Sequence, residues 1–222
     1  MRYFIYIILT IVIIGAAIWL LSSGQKNQAA NNQPEKPTIG GGVVSDGKYF
    51  LSSDSVVRWT GKKTLIVGYE DDGIVTIKSG NFVVANGNIV SGNITLDMTG
   101  IRADKTGVGQ GESGLEKHLK SDDFFSVEQY PEATFEILSS QYSQASGRYA
   151  VSGNLKLKDI TAPVDFEVVY DQDGGVLSSD FSIDRTIWGI KYASGKFFSD
   201  LADKVIDDNI YLSFKVKIEK QQ

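Results

Sequence analysis

The residues best suited to chemistry are one histidine and several clusters of carboxylates. His118 is the only histidine in the 222 residues. Carboxylates lie side by side at three places, Glu70-Asp71-Asp72, Asp122-Asp123 and Asp207-Asp208. Such groups could serve a serine-type triad, general acid–base catalysis or the coordination of a metal ion.

The sequence around these residues does not favour those chemistries. The Gly-x-Ser-x-Gly turn that presents a nucleophilic serine is absent, since Gly111-Glu112-Ser113-Gly114 has a different spacing. A zinc site would need mainly carboxylate ligands, which zinc sites rarely use, because there is one histidine and no cysteine. Asp171-Gln172-Asp173-Gly174 starts like a calcium loop, but its glycine is misplaced and the twelfth position is not glutamate, so a hairpin turn is the better interpretation.

We therefore expect no enzyme activity, no metal site and no cofactor. A glycosidase-type carboxylate pair stays open, because the separation of two carboxylates is a three-dimensional property. His118 is expected to orient the junction between a helix and a loop through hydrogen bonding.

Aromatic residues form a second candidate group, as the wall of an apolar cavity. Trp59, Trp188 and the pairs Phe124-Phe125 and Phe197-Phe198 either line a ligand cavity or fill a core. A barrel of about eight strands has an interior that is packed with side chains or just wide enough for one small ligand.

Basic residues at the entrance of such a barrel could meet a lipid phosphate, and the candidates are Arg102, Arg185 and Lys191. Asp184-Arg185 is equally consistent with a structural ion pair.

Composition excludes some classes of partner and of chemistry. Beyond residue 37 there are 19 basic and 26 acidic residues, a net charge of −7. Nucleic-acid binding is set aside, because phosphates require neutralisation by Lys and Arg. The absence of cysteine excludes disulfides, thiol catalysis and a lipoprotein anchor.

The N-terminal segment predicts a membrane anchor. Residues 3–21 are almost wholly apolar, follow Arg2, and match the roughly 20 residues that a helix needs to cross a bilayer. A long signal peptide cleaved after Gly24 is the alternative. We expect an anchor over 1–21, a flexible linker over 22–45 and a folded domain over 46–222. The domain would then lie outside the cytoplasm, in the periplasm or at the cell surface, on a single-pass cell-membrane protein.

The elements of the folded part are predicted by period-two alternation, which is typical of antiparallel strands with one dry face. The apolar face of the last strand is Ile210, Leu212, Phe214, Val216 and Ile218. An earlier strand places Val90, Ile94, Leu96 and Met98 on one face. Asn86-Gly87 predicts a tight hairpin turn. About eight strands at this spacing fit a barrel or a large sandwich.

One short helix is expected to interrupt the strands. Ser113 and Glu116 match a capping box, with Ser113 as the N-cap, which predicts a helix over 113–121. Pro131 bars a longer helix, so a loop should run to Tyr130.

Several ordered blocks resemble the YceI-like family of bacterial lipocalin-like proteins. The first runs from His118-Leu119 through Ser121 and Phe124-Phe125 to Tyr130-Pro131, with Phe135 after it. The others are Thr161-Ala162-Pro163-Val164, the stretch from Phe181 to Tyr192, and the stretch from Asp203 to Phe214. The similarity covers roughly residues 54–219.

This resemblance implies an all-β fold, an extended eight-stranded antiparallel lipocalin-like barrel with a short helical insertion. It also implies that the interior binds a polyisoprenoid lipid, such as a prenyl phosphate or a quinone, for transport or storage. An uncleaved anchor would depart from this usually soluble, exported family. The residues expected to contact the ligand are Trp59, Met98, Phe124, Phe125, Phe135, Arg185 and Trp188. The alternative is a ligand-free β-sandwich interaction module displayed on a stalk.

Overall fold

The computed structural model describes residues 41–105 and 112–222, and antiparallel strands make up most of these residues. These residues contain nine strands and one α-helix, α1 (Glu112–Lys120), between β4 and β5. The strands are β1 (Gly47–Leu51), β2 (Val56–Lys62), β3 (Glu70–Ala85), β4 (Asn88–Lys105), β5 (Glu132–Ser143), β6 (Arg148–Leu157), β7 (Ile160–Asp171), β8 (Val176–Asp184) and β9 (Asn209–Lys220).

The sheet closes into an eight-position barrel. Strands β1 and β2 both pair with β3 on one side and β9 on the other, so they occupy successive halves of one position. The remaining strands follow in the order β9-β8-β7-β6-β5-β4, and pairing of β4 with β3 completes the ring. The predicted eight-stranded antiparallel barrel is confirmed, and the two-sheet sandwich of the alternative interpretation is not the fold.

Alternation along the strands places side chains as predicted, with one exception. In β9, Leu212, Phe214 and Val216 face the interior of the barrel. Val90 was expected on the inner face of β4, but it is 43% exposed, whereas Ile89 is buried. The reason is a β-bulge, since Ile89 pairs with Val84 and Ser91 pairs with Val83, which leaves Val90 as the extra residue.

The turn between β3 and β4 follows the local sequence. Asn86 and Gly87 have φ values of 53° and 72°. Positive φ at both central residues is the requirement of a type I′ hairpin turn, which Asn-Gly meets at little steric cost. The predicted Asn-Gly hairpin is therefore confirmed.

Residues 41–46 cross the hairpin end of the barrel and seal it. Val44 is fully buried, and its N–H donates to Tyr149 Oη at 2.8 Å. The Tyr142 hydroxyl donates to the Gly41 carbonyl at 2.6 Å. Asp46 accepts the N–H groups of the Asn86-Gly87 turn at 3.0 and 2.9 Å. The folded part of the chain therefore includes residues from the end of the predicted linker.

Helix α1 lies against β4, close to its predicted position. It begins at Glu112, so Ser113 lies inside the helix and the prediction of Ser113 as N-cap is wrong. Glu116 instead ties the helix to the barrel, because its Oε1 accepts the Ala103 N–H at 3.0 Å. After the helix, Ser121 Oγ donates to the His118 carbonyl at 2.7 Å.

The predicted anchor over 1–21 and most of the predicted linker lie outside the described residues. Among the helices of residues 41–105 and 112–222, none combines the length and apolar character needed to cross a membrane.

Candidate ligand-binding cavity

An apolar cavity of about 250 Å³ lies inside the barrel. Its wall includes Trp59 and Met98, which belong to the core cluster beneath α1. It also includes Phe82 and Ile89, which belong to a second core cluster near the sealed hairpin end. The cavity therefore connects both clusters along the barrel rather than occupying one pocket at its surface.

The polar side chains of the cavity wall all lie at the end opposite residues 41–46. They come from the end of β2, the start of β3, the turn after β8 and the approach to β9, and are Lys62, Lys63, Tyr69, Asp71, Arg185 and Asp207. All except Arg185 are half-buried, so this end borders solvent. We call it the mouth, defined by Gly61–Lys63, Tyr69–Asp71 and Ile206–Asp207. An amphiphile in this cavity would place its polar group at the mouth.

Six of the seven residues expected to contact a ligand lie in the cavity wall: Trp59, Met98, Phe124, Phe125, Phe135 and Arg185. Trp188 is placed differently. It is fully buried in the cluster beneath α1, and its Nε1–H donates to the Leu155 carbonyl at 3.0 Å. This arrangement makes Trp188 a packing residue that supports the wall from behind.

Arg185 is held by the protein itself. Its guanidinium donates to the carbonyls of Asp207, Ile190 and Ile206 at 3.0, 2.8 and 3.2 Å. Its charge partner is Asp208, 3.5 Å away. Burial lowers the pKa of Arg185, an effect that Asp208 opposes. Because these bonds occupy most of its donors, Arg185 fixes the loop before β9 rather than offering a free fork to a phosphate.

The expected ion pair between Asp184 and Arg185 is wrong. Asp184 accepts instead from Lys196 Nζ at 2.6 Å and from the Thr186 hydroxyl at 2.6 Å. Asp184 ends β8 and caps the short 3-10 turn Arg185–Trp188, because its Oδ1 also accepts the Thr186 N–H at 3.0 Å, whereas Arg185 begins that turn and is buried. Sequence adjacency was a poor guide to the charge partner for this reason.

The other two proposed phosphate contacts lie outside the wall. Arg102 is exposed on β4, and Lys191 Nζ lies 4.7 Å from the Phe197 ring centroid. Lys62 and Lys63, which sequence reasoning missed, line the mouth instead. Strand parity could have found Lys63, because it shares a face with the inward Trp59 and Gly61. A hydrogen bond and ion pair with Glu70 raise the pKa of Lys62.

Trp59 brings an unusual polar atom to the wall. Its indole is buried, and its Nε1–H has no hydrogen-bond partner among the described residues. Gly73 makes room for the ring, since a Cβ there would lie 2.7 Å from Trp59 Cζ2. Buried N–H groups are almost always paired with an acceptor. Because this one is not, it can donate to an acceptor that enters the cavity.

His118 acts at the junction predicted for it. Its ring packs edge-on against Phe124 and Tyr192, with centroids 5.0 and 4.6 Å away, and its Nε2 lies 3.2 Å from Asp123 Oδ2. These contacts join α1 to the following loop and to the segment before β9. Within the described ranges, no cluster of three or more His, Cys, Asp or Glu residues is arranged to hold a metal ion.

Comparison with known proteins places the barrel in a family. Residues 50–218 match the model of the YceI-like domain. The UPF0312 protein plu2095 of Photorhabdus laumondii is 43% identical over 49 residues, which are 22% of this chain and 24% of that protein. The chain thus spans about a quarter of the length of such curated relatives.

Two solved structures share the fold at low sequence identity. A polyisoprenoid-binding domain from Saccharophagus degradans, implicated in plant cell wall breakdown, aligns with a TM-score of 0.56 at 14% identity, over 78% of this chain and 98% of that one. BcnA of Burkholderia cenocepacia aligns with a TM-score of 0.52 at 19% identity, over 75% of this chain and 96% of that one. Because the family model covers most of the sequence, from β1 into β9, the chain belongs to the YceI-like family.

Proposed function

We propose that this barrel holds a polyisoprenoid lipid, either a prenyl phosphate or a quinone, with its apolar tail in the cavity. The observation that carries the proposal is the polarity of the cavity wall. Apolar side chains from both core clusters line it, and the polar residues of the wall gather at the mouth. A ligand that matches this wall is long, apolar and polar at one end.

Burial of the tail supplies the driving force. Each Å² of apolar surface removed from water contributes about 25 cal/mol. At the mouth, the ammonium group of Lys62 is paired with Glu70, so Lys63 is the better candidate to meet a phosphate or a quinone carbonyl. The S. degradans domain with the same fold is described as polyisoprenoid-binding, which supports the same ligand class here.

The size of the cavity limits how such a tail enters. Ligand pockets commonly measure roughly 300–1,000 Å³, and this cavity measures about 250 Å³. We therefore expect phenylalanine rings of the wall, such as Phe135 and Phe166, to change rotamer when a long chain is bound.

The proposal includes a location. The apolar stretch over 3–21 would tether the domain to the outer face of the cell membrane, and Arg2 would keep the N-terminus in the cytoplasm. Such a tether would hold the barrel beside its lipid source, which suits transport or storage of the lipid.

Lipid analysis tests the proposal. Residues 41–222, which include the whole barrel and the segment that seals it, would be exported in a bacterial host, purified and measured by native mass spectrometry. Organic extraction and lipid mass spectrometry would follow. A stoichiometric isoprenoid adduct is expected. A protein that stays ligand-free after incubation with quinones and prenyl phosphates would refute lipid binding and favour an interaction module.

A further inference from the structure

Two loops beside the mouth carry large apolar side chains into solvent. Leu65 and Val67, in the loop between β2 and β3, are 64% and fully exposed. Phe197 and Phe198, in the segment before β9, are 46% and 51% exposed. We call these four side chains the apolar rim. Clusters of exposed apolar side chains on a protein surface mark sites of interaction with a partner.

Backbone hydrogen bonds hold the two loops together at one end of the barrel. The Thr64 N–H donates to the Val205 carbonyl at 3.3 Å, and the Asp207 N–H donates to the Lys62 carbonyl at 2.8 Å. The Ile206 N–H in turn donates to the Ala193 carbonyl at 2.9 Å. The rim residues therefore lie on neighbouring loops that both border the mouth.

A turn presents the two phenylalanines outward. The N–H groups of Phe197 and Phe198 both donate to the carbonyl of Ser194, at 3.2 and 3.1 Å, and Ser194 is fully buried. Rings on an anchored turn of this kind cannot fold back into the core easily. Their exposure is thus a property of the local fold.

Two lysines beside the rim, Lys63 and Lys191, are candidates to meet an anionic partner. The neighbouring acidic residues Glu70, Asp72 and Asp208 are already paired within the protein, with Lys62, Arg58 and Arg185. Lys63 and Lys191 lie over the rings of Tyr69 and Phe197, with Nζ 4.4 and 4.7 Å from the centroids. Lysines of this kind can extend towards phosphate groups while their stems cover apolar surface.

We propose that the apolar rim docks onto an anionic lipid bilayer and brings the mouth against it. Protruding apolar and aromatic side chains flanked by lysines suit insertion at the boundary between headgroups and acyl chains. A stable protein partner would instead need roughly 800 Å² of complementary surface on each side, and four separate side-chain tips do not provide it. The proposal rests on the proposed function in one respect, since docking would let an apolar ligand pass between cavity and bilayer without crossing water.

Site-specific fluorescence tests the docking in the full-length chain. Because the sequence contains no cysteine, Val67→Cys gives a single labelling position on the rim. Leu138→Cys, 52% exposed on β5, gives the matched position on the outer wall. Each labelled protein would be reconstituted into vesicles of phosphatidylcholine and phosphatidylglycerol that contain nitroxide-labelled lipids. Loss of fluorescence at position 67 but not at 138 is expected.

Equal quenching at the two positions, or none at 67, would overturn the proposal. So would a change at 67 that depends on protein concentration in the absence of lipid quenchers, because it would indicate a second copy on the rim. In the Val67→Cys protein, Leu65→Ser with Phe198→Ser should abolish the quenching. Leu138→Ser with Phe50→Ser, two exposed wall residues, should not.

The extracted isoprenoid would be quantified in the same preparations. Quenching in a protein that carries no isoprenoid would support docking and refute only the lipid-binding function. Isoprenoid bound without quenching would support the function and refute docking. The two proposals can therefore fail separately.

Discussion

The rings of Phe166 and Phe181 stack across the seam between β7 and β8, with centroids 4.4 Å apart and planes 13° from parallel. In the described chain, the backbone ladder between these strands covers only Val169–Asp171 and their partners. Both rings line the cavity. Side chains, rather than a continuous ladder, therefore close this part of the barrel wall.

Two further features fit an interrupted ladder. Ser179 Oγ donates to the Glu167 carbonyl at 2.6 Å, a position where a backbone N–H would donate in a regular sheet. Pro163 lies on the same edge of β7 by two-residue periodicity, and proline has no N–H to donate. A proline is tolerated in this strand because its edge is unpaired there.

Hydrogen exchange should reveal the seam. The Asp165 N–H lies on the seam edge, whereas the Val164 N–H faces β6, where Val164 pairs with Gly153. We expect Asp165 to exchange its amide hydrogen much faster than Val164. A hydrogen-bonded amide exchanges only after local opening of the structure, whereas an amide without a hydrogen bond exchanges without such opening. Nuclear magnetic resonance of the 15N-labelled domain would measure both rates. Similar protection of the two amides would mean that β7 and β8 pair fully in solution.

Filling the cavity should remove the ligand and retain the fold. Met98 is buried in the cavity wall, so Met98→Trp would place a larger side chain in the lumen. We expect a loss of about 1–3 kcal/mol in the free energy of unfolding from overpacking, and loss of extractable isoprenoid. Denaturant titration and lipid mass spectrometry would measure the two effects. Leu138→Trp, on the exposed wall, is the control, and unchanged lipid content in folded Met98→Trp would contradict the wall assignment.

Replacing Arg185 should lower the free energy of unfolding. Arg185→Met leaves Asp208 and three carbonyls without their buried partner, and loss of one partner of a buried pair costs about 3–5 kcal/mol. Arg102→Met changes an exposed residue and should alter stability by less than about 0.5 kcal/mol. Thermal or denaturant unfolding would compare them. If Arg185→Met kept full stability but lost its lipid, the guanidinium would be a ligand contact instead.

The two barrel tryptophans should respond differently to loss of the indole N–H. Trp188→Phe removes the hydrogen bond to the Leu155 carbonyl, which contributes about 1 kcal/mol. Trp59→Phe removes an N–H without a partner among the described residues. The free energy of unfolding should therefore fall less in Trp59→Phe than in Trp188→Phe. Unfolding of the ligand-free variants tests this order. A greater loss for Trp59→Phe would show that its Nε1 has a partner in solution.

Acid should weaken the seal at the hairpin end. The N–H groups of Gly87 and Asn86 hold the pKa of Asp46 below its ordinary value of 3.8. A carboxylate with a lowered folded-state pKa stabilises the fold above its unfolded pKa, and this contribution is lost as pH falls through the folded value. Asp46→Asn should therefore be less stable than the parent at neutral pH. The difference should shrink below pH 3.8, and a difference independent of pH would exclude the charge as its cause.

Local patterns predicted much of this fold. Alternation identified the inner face of β9, and Asn86-Gly87 identified a turn whose positive φ values those residues accept. Val90 was misplaced because a bulge depends on the register with β3, which no pattern within β4 records. Six of the seven proposed contact residues lie in the cavity wall. Alternation selected Met98, and the blocks of the family resemblance contain Phe124, Phe125, Phe135 and Arg185.

The sequence by itself determined the alternation, the turns, the absence of thiol chemistry and the family. Only the tertiary structure decided that β1 and β2 share one barrel position, that Val44 seals one end, and that Arg185 pairs with Asp208 rather than with Asp184. The reason is physical: alternation and turns arise from dihedral preferences of adjacent residues. Barrel closure, cavity shape and buried charge partners depend instead on contacts between residues far apart in the chain.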